Sequence, residues 1–276
     1  MKNRSKVIEK MFSCPHCNSS MYISENGKSV YCTGMRKHCF DFSADGYLAM
    51  GQGGGDSKEA VRARKSFLSA DYYLPGAEGI CKVAEKYLTP DSYIVDAGCG
   101  EGYYTNKFAS LSEHTVGFDL SKFACSAAAK SAKASGVGNA LYVTGSVFEL
   151  PLADKCADMV INVFAPCTEE EYSRILKDDG HLVVVGAGEN HLMGLKEALY
   201  ENTYVNTARA DMPKNMTLVE KTTVEFEIEV KGSEDIASLF LMTPYYWRTK
   251  ESDKEKLLAL DSLKTKIEFE ISVYRK

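Results

Sequence analysis

Asp96-Ala97-Gly98-Cys99-Gly100-Glu101-Gly102 constrains this chain more than any other segment. It follows an apolar run, Tyr93-Ile94-Val95, and leads into Tyr103-Tyr104-Thr105-Asn106-Lys107-Phe108, which reads as the start of a helix. A buried strand that ends in a glycine-rich turn and then a helix aims backbone N–H groups and a helix N-terminus at a ligand. Glycine lets that ligand approach the backbone, where a Cβ would block it. The spacing G-x-G-x-G is shared by dinucleotide sites and S-adenosylmethionine (SAM) sites. Dinucleotide turns usually place a glycine where Tyr103 stands here. An acid ahead of the glycines, as Asp96 is, suits SAM. Gly98, Gly100 and Gly102 together with Asp96 are therefore expected to form a cofactor turn.

A second acid fits the same reading. Thr115-Val116-Gly117-Phe118-Asp119 looks like the next strand, with Asp119 at its end. Asp119 follows Asp96 by roughly 20 residues, where a nucleotide-binding βαβ unit carries the acid that takes the ribose hydroxyls. Asp119 can also cap the helix that begins near Ser121, and so can Ser121 itself.

A cysteine cluster defines the other end of the chain. Four of the nine cysteines fall within residues 14–39, and the other five are scattered singly, which argues for a metal site rather than disulfides. Cys14-Pro15-His16-Cys17 is a C-x2-C knuckle that turns two thiolates toward one metal. Met21 to Tyr31 supplies a hairpin to bring a second pair across, with Asn26-Gly27 as a type I′ turn signal. Cys32 is the third ligand, and either His38 or Cys39 the fourth. His16 reads as a turn residue. A segment of about 35 residues needs such a staple to hold a core. Gly51-Gln52-Gly53-Gly54-Gly55-Asp56-Ser57 then reads as a linker or loop, and Ser57 to Ser69 as a helix. Arg62, Arg64 and Lys65 on that helix are either a solvated face or a phosphate-contacting strip.

The 276 residues suffice for one large α/β domain and a small module. Net charge is −5, from 33 basic and 38 acidic residues, which excludes generic coating of nucleic acid but not a local basic patch. No run of about 18 apolar residues appears, so no membrane span is expected. The basic first twelve residues lack the apolar stretch of a signal peptide, so a cytoplasmic location is expected.

Beyond Asp119, strands near 140–145, 158–163 and 180–185 alternate with helices near 122–135 and 169–176, the pattern of a parallel, doubly wound sheet. Residues 222–230 and 266–274 instead alternate strictly between apolar and charged or polar, as antiparallel strands with one wet face do. Helical segments near 233–240 and 252–260 separate them. The fold class is thus α/β, a Rossmann-like SAM-dependent methyltransferase sheet whose last strand runs antiparallel, preceded by a small zinc-ribbon-like module. Expected boundaries are 1–48 for the module, 49–70 for linker and helix, and 71–276 for the catalytic domain. Asn162-Val163-Phe164-Ala165-Pro166-Cys167 leaves the carboxyl end of the fourth strand, where a substrate should meet the methyl group. Cys167 is either a nucleophile for C5 methylation of a pyrimidine or a packing residue behind a turn.

In this order along the chain, His38-Cys39-Phe40-Asp41, Tyr72-Tyr73-Leu74-Pro75, Asp96 to Thr105, Phe164-Ala165-Pro166-Cys167, Asn190-His191-Leu192-Met193 and Met242-Thr243-Pro244-Tyr245-Tyr246-Trp247-Arg248 resemble bacterial 23S rRNA guanine-N1 methyltransferases. The resemblance covers essentially the whole chain. It implies a zinc module that recognises an rRNA hairpin, a SAM-binding domain, methylation of N1 of one guanine, and a homodimer. It also implies that Tyr73, Glu101, Gly102 and His191 line the SAM site, and that Cys14, Cys17, Cys32 and His38 hold zinc. The separation of Cys32 from His38 is wider than the family's usual one, which keeps Cys39 in competition. No residue announces itself as the general base. A carbonyl of the Ala165-Pro166 turn is a candidate to hold the guanine edge, and Tyr245, Tyr246 and Trp247 are candidates to stack on the base. The rival functions are a C5-cytosine RNA methyltransferase using Cys167, a small-molecule methyltransferase, and an RNA-binding protein without activity.

Overall fold

The computed structural model describes residues 2–51, 53–207 and 209–276. The chain begins with α1 (Lys2–Met11) and a three-stranded antiparallel sheet of β1 (Met21–Ile23), β2 (Ser29–Cys32) and β3 (Cys39–Asp41), in that order. Then follow β4 (Leu48–Ala49), α2 (Lys58–Ser69), α3 (Leu74–Glu85), β5 (Tyr93–Ala97), α4 (Tyr103–Phe108), β6 (His114–Asp119), α5 (Lys122–Ala134), β7 (Ala140–Thr144), β8 (Ala157–Val163) and α6 (Glu169–Ile175). The chain finishes with β9 (Leu176–Ala187), α7 (Met193–Leu199), β10 (Thr217–Lys231), α8 (Ser233–Leu241), α9 (Glu251–Leu258) and β11 (Ser262–Arg275).

The main sheet has eight strands in the order β10-β11-β9-β8-β5-β6-β7-β4. β11 runs antiparallel to both neighbours, and the pairs from β9 through β4 are parallel. From β5 the chain adds β6 on one side and later β8 on the other. The crevice at the carboxyl ends of β5 and β8 is therefore the switch point where ligands bind in such sheets. Every residue of β5 and β7 is buried, as expected for strands covered on both faces. In β10, Val224, Phe226, Ile228 and Val230 face the core while Glu225, Glu227 and Glu229 are exposed, the period-2 pattern read in the sequence.

Three local details differ from or refine the sequence reading. The β1–β2 turn is not type I′, which needs a positive φ at both central residues. The Gly27 N–H donates to the Ser24 carbonyl across Glu25-Asn26, and only Gly27 in this loop has φ positive. β9 is counted from Leu176, but its register with β8 jumps from Ala157–Leu176 to Met159–His181, so residues 177–180 bulge out of the ladder and regular pairing resumes at His181. The described residues of the glycine-rich linker pack on the sheet. The Met50 and Gly51 N–H groups donate to Thr144 Oγ1, and the Ser121 hydroxyl donates to the Asp56 carbonyl.

The N-terminal module shares its interior with the main domain. Ile8, Met11, Phe12, Met21, Val30 and Cys32 lie in one hydrophobic cluster with Val116, Phe118, Leu141 and Leu152. The Phe12 and Phe118 rings are 6.0 Å apart. Among the described residues, no helix is long and apolar enough to cross a membrane.

Candidate active site and metal centre

β2 and the knuckle turn bring four soft donors together. One ligand atom from each of Cys14, Cys17, Cys32 and His38 lies within 4.8 Å of the others. His38 Nδ1 is 3.4 Å from Cys14 Sγ and 3.6 Å from Cys32 Sγ, and Cys17 Sγ is 3.7 Å from Cys32 Sγ. A tetrahedron built on Zn–S bonds of about 2.3 Å and a Zn–N bond of about 2.0 Å has edges of about 3.5–3.8 Å. The donor set thus fits a zinc module. A Cβ on Gly34 would lie 2.9 Å from Cys17 Sγ, so the cradle has no room for another side chain. The His38 N–H donates to Cys32 Sγ at 3.1 Å and steadies that sulfur. Cys39 does not join. It is exposed on β3, next to the buried Phe40, and its thiol donates to Asp41. His16 stacks on Phe40 at 5.8 Å, a packing role.

At the carboxyl end of β5 the glycine turn has φ of 89° at Gly98, 55° at Gly100 and 84° at Gly102. The three glycines have different reasons. A Cβ on Gly98 would collide with Ala165 Cβ, and one on Gly102 would sit 2.8 Å from Ala128 Cβ, so these two answer to packing. A Cβ on Gly100 would meet only the end of the flexible Arg64 side chain, at 3.6 Å, so packing does not demand this glycine and a ligand that displaces Arg64 could approach the backbone here.

Three carboxylates belong to this turn and the neighbouring strand end. Asp96 is 1% exposed and accepts the Thr105 hydroxyl at 2.5 Å, and desolvation pushes its pKa up to about 7. Glu101 is buried and likewise pushed up to about 7 by desolvation, against the pull of Arg64. Its Oε2 has no hydrogen-bond partner. Burial also raises Asp119. Asp119 accepts the Gly100 N–H at 3.0 Å and the Ser121 N–H at 2.8 Å, while the Ser121 hydroxyl caps α5. Asp119 therefore ties the glycine turn to the neighbouring strand end. An acid-lined, mostly buried cleft of this kind favours a cationic ligand.

Tyr73 and His191 meet on the β9–β11 side of the crevice. Tyr73, buried just ahead of α3, lies edge-on to His191 at 6.2 Å and to Phe269 at 5.2 Å. Tyr104, in the first turn of α4, packs against the hydrophobic cluster that holds Tyr73 and Phe269, linking this pair to the glycine turn. The Glu268 N–H donates to His191 Nδ1 at 3.2 Å, so the ring proton resides on Nε2. Burial pushes the His191 pKa down to about 4. His191 is a neutral donor at physiological pH, not a base.

The segment after β8 is more committed than its sequence suggests. The Ala165 carbonyl accepts Arg209 Nη2 at 2.7 Å, and the Pro166 carbonyl accepts both Asn162 Nδ2 at 2.9 Å and the Tyr172 hydroxyl at 3.1 Å. These carbonyls hold the turn itself, the Pro166 oxygen with two donors and the Ala165 oxygen with one. Cys167 is buried in the cluster that contains Tyr172 and Met216, and burial pushes its thiol up to about 11. This enclosure suits the packing reading of Cys167.

Sequence reasoning missed two residues here. Phe164 is exposed at 43%, has φ of 53°, and stacks over His191 at 5.7 Å. A bulky residue in the left-handed region is uncommon, and such strain clusters at functional sites. Its place at a strand end was legible, but its backbone sign was not. Arg64 is the other, turned inward over Gly100. Of the proposed stacking trio, Tyr245 is buried with its hydroxyl donated to Asn206, Tyr246 packs on Phe240, and Trp247 is 79% exposed.

Comparison with known proteins gives the site its context. A family model described as a methyltransferase domain matches residues 88–251. The Bacillus subtilis protein YxjB, named as a candidate 23S rRNA (guanine-N(1)-)-methyltransferase, is 30% identical over 274 residues, covering 92% of each chain. The 23S rRNA (guanine(748)-N(1))-methyltransferase of Streptomyces fradiae is 31% identical over 204 residues, covering 70% of this chain and 69% of its own. The glycine turn with its buried acids lies within the matched domain. This chain belongs to the 23S rRNA (guanine-N1)-methyltransferase family and is a SAM-dependent methyltransferase.

Proposed function

We propose that the enzyme methylates N1 of one guanine in a 23S rRNA hairpin. The observation that carries this reading is that the likeness to YxjB runs through 92% of both chains, more than residues 71–276 alone could supply. A small-molecule methyltransferase has no use for the metal module. In the same reading Cys14, Cys17, Cys32 and His38 hold zinc, residues 1–48 recognise the hairpin, 49–70 connect, and 71–276 carry the reaction. A cytoplasmic homodimer is its working form.

SAM supplies a sulfonium methyl for in-line transfer, and the residues of the chain then have binding and positioning work to do. Asp96, Gly98, Gly100, Glu101, Gly102 and Asp119 hold the cofactor at the crevice. Tyr73, His191 and Phe269 wall the β9–β11 side of the crevice. Phe164 offers an exposed ring at the edge where an unstacked guanine would lie. His191 Nε2–H is available as a hydrogen-bond donor there.

Incubating 23S rRNA transcripts with labelled SAM and digesting to nucleosides should give 1-methylguanosine. A 5-methylcytidine product would promote the pyrimidine reading. Cys167→Ser separates the two chemistries independently. It should keep methyl transfer within about threefold of wild type, because N1 methylation needs no covalent enzyme adduct. A folded Cys167→Ser protein with normal SAM and RNA affinity but no product would overturn the proposed reaction.

A further inference from the structure

Arg62, Arg64 and Lys65 are neighbours in sequence but not in surroundings. Arg62 is exposed, whereas Arg64 reaches inward over the cofactor turn. Its Nη2 pairs with Asp56 Oδ2 at 2.6 Å, and its charge also acts on Glu101 and Asp119. Asp56 is the weak side of that pair, with its side chain 44% exposed.

Glu101 makes the arrangement unusual. It is 4% exposed, and its Oε2 has no hydrogen-bond partner. Among the described residues, no Arg64–Glu101 ion pair lies within 4.0 Å, although the two charges share one cleft. An unpartnered buried carboxylate oxygen is costly unless a ligand completes it. A guanidinium and a carboxylate that feel each other's charge without pairing match one ligand class well, an amino-acid zwitterion. The planar fork of arginine takes a carboxylate in two parallel hydrogen bonds, and the orphan oxygen takes an ammonium.

We propose that Arg64 anchors the α-carboxylate of the cofactor's methionine moiety, exchanging Asp56 for it, while Glu101 Oε2 faces the α-ammonium. The proposal rests on the SAM-dependent reading of the site. It makes α2, the helix between the metal module and the catalytic domain, part of the cofactor pocket. It also removes Arg64 from any phosphate-contacting strip.

Calorimetry on the full-length protein tests it with two ligands, SAM and decarboxylated SAM, which keeps the ammonium and the sulfonium but lacks the carboxylate. Arg64→Ala should weaken SAM by about 10- to 100-fold, the value of a charge-assisted hydrogen-bond pair. The same variant should bind decarboxylated SAM as well as wild type does, or more tightly, since a cation has been removed from beside a cationic ligand. Arg64→Lys should recover part of the SAM affinity, because lysine restores the charge but not the fork. Equal losses for both ligands, or no loss for either, would overturn the proposal. If Arg64→Ala fails to fold, the ratio of SAM to decarboxylated SAM affinity in Arg64→Lys decides the same question. If wild type binds neither ligand, it is the SAM reading that fails.

Discussion

Gly100→Val is expected to lower SAM affinity by about two orders of magnitude or more while the chain still folds. Two effects act together. A β-branched side chain at φ of 55° costs about 1–2 kcal/mol of backbone strain. The added methyls also project into the space between the turn and Arg64, which is where a cofactor must approach the backbone. The neighbouring glycines give the contrast. Gly98→Val would collide with Ala165 and Gly102→Val with Ala128 and the Tyr142 hydroxyl, and these contacts belong to the packed interior. Those two variants should lose folded protein first, with cofactor binding lost as a consequence. Thermal melts paired with calorimetry read the difference. A folded Gly100→Val protein with unchanged SAM affinity would mean that the turn serves some other ligand.

That contrast also marks what the sequence could convey. The glycine spacing located the turn, but only the packing of Ala165 and Ala128 against it assigns each glycine its reason. Alternation of apolar and charged residues made β10 and β11 legible, because one wet face imposes period 2 on Val224 to Val230. The same signal could not place Leu176, the first residue of β9, because residues 177–180 bulge out of the ladder between Leu176 and His181. Cys39 and His38 are adjacent, so spacing alone could not choose between them. Strand alternation does choose, because Cys39 and the buried Phe40 face opposite sides of β3. Arg64 and Phe164 were the least legible. A long charged side chain on a polar helix face reads as solvated until the loop that carries Asp56 is seen beside it. A left-handed φ at Phe164 is set by how β8 leaves the sheet, which no local pattern records.

Cys32→Ser should release the metal and impair the module while leaving the cofactor site working. Cys32 is fully buried, pairs with Cys17 and His38 around the centre, and accepts the His38 N–H. A hydroxyl is shorter, harder and not ionised, so it cannot replace the thiolate. Metal content should fall from about one ion per chain to nearly none, because a structural site of this kind is closed and needs all four donors. Binding of 23S rRNA should weaken. SAM affinity should stay near wild type, because Asp96, Gly100, Glu101 and Asp119 are held by β5, β6 and the α4 turn rather than by the module. The shared core makes this a demanding test. Phe12 packs on Phe118, and the Phe118 carbonyl accepts the N–H groups of Gly98 and Cys99 at 2.9 Å each. A direct mechanical path therefore runs from the metal module to the glycine turn. If the module only rests on that path, melting temperature falls and SAM affinity does not. If SAM affinity collapses together with metal content, the module is a structural part of the cofactor pocket and the division at residues 48–70 is wrong.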